Sequence, residues 1–64
     1  MKTEYAVWHG HVTYVIRAEN PIRAIQAALE LHHDYVPASA WHWQDMGEYS
    51  GAVQNKIRQN AITN

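Results

Sequence analysis

The sequence contains no cysteine in its 64 residues. Neither a disulfide framework nor a thiolate zinc site can therefore stabilise the fold, and a reducing compartment fits best. A chain of this length buries only about 60% of its unfolded surface, which leaves a thin core. We therefore expect a single domain over residues 1–64 that gains stability by forming a homodimer.

Long apolar runs are also missing, because none approaches the roughly 18 residues that a membrane helix needs. The N-terminus lacks the basic and then apolar pattern of a signal peptide. With only three glycines, the chain has no glycine-rich loop that could cradle a phosphate. These absences predict a cytoplasmic protein without a cofactor, located in the host cytoplasm if a phage encodes it.

Positive charge is sparse, with no lysine or arginine between Arg23 and Lys56. The net charge is −1, whereas a general nucleic-acid-binding domain usually has a pI above about 9. Four acidic residues lie in the interval without cations: Glu30, Asp34, Asp45 and Glu48. They predict an acidic ridge that suits a basic groove on a larger protein.

The clearest structural signals mark a helix that starts at Asn20. The Asn20 side chain can accept a hydrogen bond from a first-turn N–H, and Pro21 suits the first helical position. Pro37 prevents the helix from continuing, so we expect it to end near Asp34 or Tyr35.

The period of this helix predicts one apolar face. At 100° per residue, Ile22, Ile25 and Leu29 fall on a single stripe, together with the ring of His32 or His33. We expect this stripe to face the core.

Two segments before the helix have the composition of strands. Thr3 to His9 and His11 to Ala18 are rich in β-branched and aromatic residues, and His9-Gly10 between them predicts a tight hairpin turn. In the simplest register Tyr5 lies opposite Tyr14, and this face of the hairpin forms the core.

The opposite face of the hairpin includes Trp8, His11 and Arg17. This face has more apolar and aromatic side chains than a solvent-exposed sheet face requires. Either the C-terminal segment covers Trp8, or this face binds a partner.

After the helix, Ala38 to Asp45 predicts a third strand, in which Trp41 and Trp43 share one face. We expect both indoles to be mostly buried and His42 to behave oppositely. Met46-Gly47-Glu48 predicts a turn, and the spacing of apolar residues after Ser50 predicts a short C-terminal helix. The predicted fold class is α+β, with the order ββαβ.

Five histidines raise the question of a metal or catalytic site. His9 and His11 flank a turn glycine, and His32 and His33 are adjacent, so neither pair has the i, i+4 spacing that presents two imidazoles to one ion. The serines lie in no nucleophile elbow. The sequence therefore predicts neither a metal site nor an enzyme.

The order of elements resembles the small coliphage proteins that inhibit bacterial RNA polymerase. The resemblance covers roughly residues 5–45 and depends on Ala18-Glu19, the Ala/Leu-rich helix, and Tyr35-Val36-Pro37-Ala38 before the third strand. It implies a protein that binds the polymerase jaw and blocks promoter opening. That family has functional arginines on and after the third strand, where this chain has Trp41-His42-Trp43-Gln44, so no functional residue is transferred.

These observations favour a small non-enzymatic binding protein, a phage-type inhibitor that occupies a surface of a larger host protein, such as RNA polymerase or a defence nuclease. The residues predicted to contact the partner are Trp8, His11, Arg17, Glu30, Asp34, Asp45 and Glu48. The alternative is a nucleic-acid-binding module, in which aromatics stack on bases beside basic residues. Its candidate residues are Trp8, Trp41, Trp43, Arg17, Lys56 and Arg58.

Overall fold

The computed structural model describes residues 1–62 and shows an α+β fold built on one three-stranded antiparallel sheet. The strands are β1 (Thr3–His9), β2 (Val12–Ala18) and β3 (His42–Asp45), in the spatial order β2-β1-β3. The helices are α1 (Pro21–Leu31) and α2 (Gly51–Asn60), and short 3₁₀ turns span Ala38–Ala40 and Met46–Glu48. The predicted fold class, the turn after β3 and the C-terminal helix are confirmed. No helix in the described part is long and apolar enough to cross a membrane.

The hairpin turn consists of Gly10 and His11, one residue later than the predicted His9-Gly10. Gly10 has a φ of 58°, and a two-residue hairpin needs a positive φ at its first position in a type II′ turn. The later turn pairs Tyr5 with Ile16 instead of Tyr14. Because this register differs by two residues from the expected one, every side chain stays on its predicted face.

Helix α1 begins as predicted, with the Asn20 side chain accepting a hydrogen bond from the Arg23 N–H at 2.9 Å. It ends at Leu31, earlier than the expected Asp34 or Tyr35. His32 adopts an extended conformation there, which turns its ring toward Tyr14 and Trp41. The helix therefore ends at the residue whose ring packs on Tyr14 and Trp41, before Pro37 is reached.

The buried face of α1 differs from the predicted stripe. Ala24 and Ala28 are fully buried against the sheet, Ile25 and Leu29 are partly buried at the side, and Ile22 is 70% exposed. The sheet beneath α1 carries large side chains, such as Tyr14, and alanines let the helix backbone approach them closely. The expected core position of Ile22 is therefore wrong.

Trp41 is the aromatic centre of the core. It is 5% exposed, and its ring centroid lies within 5.4–6.0 Å of those of His9, Tyr14 and His32. Its indole N–H donates a hydrogen bond to the Val36 carbonyl at 3.3 Å. The prediction that Trp41 is buried is confirmed.

Strand β3 is shorter than predicted, because the 3₁₀ turn at Ala38–Ala40 delays pairing until His42. Trp41 precedes the strand, yet it packs on His9 and Tyr14 while Trp43 packs on Tyr5, so both indoles lie on the sheet face that α1 covers, as predicted. Trp43 pairs with Val7 at the outer side of the sheet and is 46% exposed. The expected burial of Trp43 is wrong, since α1 packs mainly over β2 and β1.

The other sheet face is covered in part by the C-terminal third of the chain. The Ser50 hydroxyl caps α2 by accepting a hydrogen bond from the Val53 N–H at 3.3 Å. Beyond α2, the Ile62 N–H donates to the Thr13 carbonyl at 2.8 Å, which extends the sheet next to β2. The chain's own C-terminal segment therefore contacts the outer edge of β2 through a single bridge.

An ion pair links α2 to this face. Arg58 donates two hydrogen bonds to the Glu4 carboxylate, at 2.8 and 2.5 Å. These hydrogen bonds, with the charges of Arg58 and Arg17, hold the pKa of Glu4 below its ordinary range, although partial burial opposes the shift. The contact joins residues 54 positions apart, so it holds the helix to the sheet.

Acid should weaken this attachment. A carboxylate with a lowered pKa contributes stability above its unfolded pKa of about 4.3, and this contribution is lost as the pH falls through the lowered value. We expect the urea midpoint to fall more between about pH 6 and about pH 3 in the parent than in Glu4→Gln. An identical pH dependence in the two proteins would contradict this role of Glu4.

Candidate functional site

Two of the predicted partner residues on the hairpin, Trp8 and Arg17, lie on the sheet face opposite α1. Trp8 is partly buried and stacks on His42 of β3, with ring centroids 5.7 Å apart and an interplanar angle of 24°. His42 is exposed, and so is His11 in the adjacent turn. We call Trp8, His11 and His42 the hairpin surface. The sequence did not reveal that His42 contacts Trp8, because this contact depends on long-range strand pairing.

Arg17 lies on the same sheet face, but at the other end of the hairpin. It pairs with Glu4 across the strands and therefore belongs to the charged group that includes Arg58. Its side chain remains exposed. Arg17 is therefore distant from Trp8 along the hairpin and lies beside the ion pair between Glu4 and Arg58.

The four predicted acidic residues form two separate pairs. Glu30 and Asp34 lie near the C-terminal end of α1, where His32 packs on the residue before β3. Asp45 and Glu48 lie at the opposite end of the sheet, where β3 ends. The structure therefore does not form one continuous acidic ridge.

Asp45 and Glu48 also make contacts within the chain. The Asp45 carboxylate accepts a hydrogen bond from the Gly47 N–H at 2.8 Å, which caps the 3₁₀ turn. Glu48 accepts a hydrogen bond from the Gln44 side chain. Both carboxylates help to end β3. This local role accounts for the presence of Asp45 and Glu48 at these positions without a binding partner.

A second exposed surface follows the outer side of α1 and β3. On the other side of α1, Ala27 and Leu31 line grooves against β2. Successive residues of a helix are 100° apart around its axis, so the residues on the opposite flank of α1 face β3. That flank carries Ile22, Ile25 and Leu29.

Trp43 lies on the sheet face that α1 covers, at the edge strand on the side of this flank. It lies on the same sheet face as Tyr5, with which it makes an edge-to-face contact at 5.9 Å and 83°. We call Ile22, Ile25, Leu29 and Trp43 the edge patch. The sequence could not reveal it, because Ile22 and Trp43 are both typical core residues.

The residues of the nucleic-acid alternative do not converge on one surface. Trp41 is buried, while Trp8 and Trp43 lie on opposite faces of the sheet. Arg58 is paired with Glu4. Base stacking needs aromatic faces along one basic groove, and the described residues do not provide that arrangement.

In residues 1–62, no group of three or more His, Cys, Asp or Glu side chains could hold a metal ion. The histidines are instead placed by aromatic contacts: His32 Nδ1 lies 3.1 Å from the Tyr14 hydroxyl, and His9 packs on Trp41. These contacts give His9 and His32 structural positions in the fold.

Comparison of the chain with protein-family models, with curated proteins and with solved structures finds no match.

Proposed function

We propose that this protein is a small non-enzymatic binding protein that occupies a surface of a larger host protein through its hairpin surface. The observation that supports this proposal is the stack of Trp8 on the exposed His42 beside the turn. α2 packs against β2, and its Arg58 reaches Glu4 at the far end of β1. A partly uncovered indole is thus presented at the hairpin end.

Rigid presentation favours this surface for binding. Trp8 lies on the central strand, with β2 on one side and β3 on the other. Its ring is supported by His42, so little side-chain freedom is lost when a partner covers it. Tryptophan is also among the residues that contribute most to binding energy at protein interfaces.

The charge of the chain favours a protein partner over a nucleic acid. The net charge is −1, and one of the cations, Arg58, is already bound to a carboxylate. We propose host RNA polymerase as the first target to test, since the order ββαβ matches the resemblance to phage inhibitors of that enzyme. A defence nuclease is the second.

The test is capture of proteins from a bacterial lysate by the immobilised chain, with identification by mass spectrometry, followed by titration with purified RNA polymerase. We expect retention of a specific host protein, and we expect Trp8→Ala to weaken its binding at least about thirty-fold. Val53→Ala is the matched control, because it removes an exposed apolar side chain from α2.

Two outcomes would contradict the proposal. One is a folded Trp8→Ala protein, with normal circular dichroism, that binds its target at full strength. The other is retention of oligonucleotides alone, with an affinity that falls steeply with salt, because this signature belongs to phosphate binding.

A further inference from the structure

The outer edge of β3 has no bridge to any other segment in the described part of the chain. The order β2-β1-β3 leaves one long side of β3 without a strand, while Ile62 pairs beside β2 on the other edge. Exposed edges are usually protected by short strand length, charged side chains, proline or a bulge. β3 reads His-Trp-Gln-Asp and pairs with β1 in a continuous register, so it has no lysine, proline or bulge. Its protection is limited to its short length and to Asp45, whose carboxylate already accepts a hydrogen bond from the Gly47 N–H.

We propose that a second copy of this chain pairs with β3 along this edge, so that the two edge patches meet in a symmetric homodimer. Only His42 belongs both to this edge and to the hairpin surface, because Trp8 lies on β1 and His11 lies in the turn. The dimer is therefore expected whether or not the hairpin surface binds a host protein.

Symmetry restricts how two copies can pair. Two antiparallel copies of β3 are related by a two-fold axis perpendicular to the sheet, which places both α1 helices on the same side. Directly opposed residues then share a face. Two symmetric registers pair most of β3. In one, Trp43 lies opposite Trp43 of the second copy, and in the other, Gln44 lies opposite Gln44 of the second copy.

Charge selects the register centred on Trp43. In that register the two Asp45 residues are four positions apart along the paired strands, or about 13 Å, and like charges at that distance are largely screened. The register centred on Gln44 halves the distance between the two Asp45 residues. It also places each Asp45 carboxylate opposite the Trp43 indole of the other copy. The first register also pairs His42 with Gln44 on the opposite face.

The composition of the surface favours a second copy over another partner. The edge patch contains three aliphatic residues and one indole, with Ile22 70% and Trp43 46% exposed. Permanent homodimer interfaces are more apolar than those of transient complexes. A standard interface buries about 800 Å² on each partner, which is roughly a sixth of the 4619 Å² surface of this chain.

The geometry leaves room for the indoles. α1 lies mainly over β2 and β1, and strands are about 4.8 Å apart, so the two helices in the paired sheet would be roughly 20 Å apart. Packed helices are about 8–10 Å apart. The two Trp43 rings and the flanks of α1 therefore fill a cleft above the paired β3 strands.

The test is sedimentation equilibrium of the full chain over a wide concentration range. We expect a dimer in the parent. We expect Trp43→Glu and Ile22→Glu each to raise the dimer dissociation constant at least about thirty-fold. Ile22→Glu lies outside the sheet, so it remains informative if Trp43→Glu does not fold.

Val53→Glu is the matched control, since Val53 is 43% exposed but lies on α2, and it should leave the dimer intact. A parent that stays monomeric at every concentration overturns the proposal. So does a dimer that persists in both Trp43→Glu and Ile22→Glu.

The absence of cysteine allows a direct test of register. A disulfide requires Cα atoms about 4.4–6.8 Å apart, which directly opposed residues satisfy. Under mild oxidation at a high protein concentration, which offsets the loss of the indole, Trp43→Cys should form a covalent dimer, whereas Gln44→Cys should not. Cross-linking of Gln44→Cys alone would overturn the register centred on Trp43.

Discussion

Replacing Trp41 with alanine is expected to abolish most of the stability of this protein. The indole is 5% exposed and is packed by three other rings. Loss of a buried tryptophan costs about 3–5 kcal/mol, whereas total stability is roughly 0.05–0.15 kcal/mol per residue. The variant should therefore be partly or wholly unfolded at 25 °C. Thermal and urea unfolding, followed by circular dichroism at one fixed protein concentration, measures this change.

Tyr35→Ala is the control for Trp41→Ala, because Tyr35 is an aromatic residue in the same part of the chain but is 88% exposed. Its free energy of unfolding should change by less than about 0.5 kcal/mol. Trp41→Phe should lie between the two, since it keeps a ring but loses the hydrogen bond to the Val36 carbonyl. A Trp41→Ala protein that melts like the parent would refute the assigned core.

Enlarging Ala28 to leucine is the second change with a large expected effect. Ala28 is fully buried between α1 and the sheet, and added methyl groups there force the helix away from its neighbours. Overpacking of this kind typically costs about 1–3 kcal/mol. The urea midpoint should fall, while the slope of the unfolding curve should stay the same.

Gln26→Leu is the matched control, because it adds leucine to the same helix at an exposed position. Its effect should stay within about 0.5 kcal/mol. If Ala28→Leu were as stable as Gln26→Leu, the close approach of α1 to the sheet would be wrong.

Local signals predicted the element types well. The start of α1 depends on two adjacent residues, Asn20 and Pro21, whose capping chemistry needs no distant partner. The composition of β1 and β2 likewise identified both strands, and the two-residue shift at Gly10 left their faces unchanged. Such features can be predicted because neighbouring residues determine them.

The buried faces were harder to predict, because they depend on what lies opposite. Ile22 has a higher hydrophobicity than Ala24, yet the bulky side chains of the sheet leave space only for the alanine. Trp43 became exposed because β1 is central and β3 is an edge. Strand order comes from long-range pairing, which no local pattern contains.

The candidate site had the same limitation. Trp8 was correctly placed on the face opposite α1, but its contact with His42 joins residues far apart in sequence. The four acidic residues are neighbours in a stretch without cations, but β3 carries the chain from the end of the sheet where α1 stops to the opposite end, which separates the two pairs.

The central position of β1 has a consequence for folding during synthesis. β1 can pair with β2 as soon as residue 18 has emerged, because that hairpin is local. Its second neighbour, β3, begins only at His42, so one edge of the central strand waits for more than twenty further residues. Through this interval the nascent hairpin exposes Tyr5 and Val7. Chaperones and neighbouring ribosomes would therefore encounter the protein while β1 is paired with β2 only.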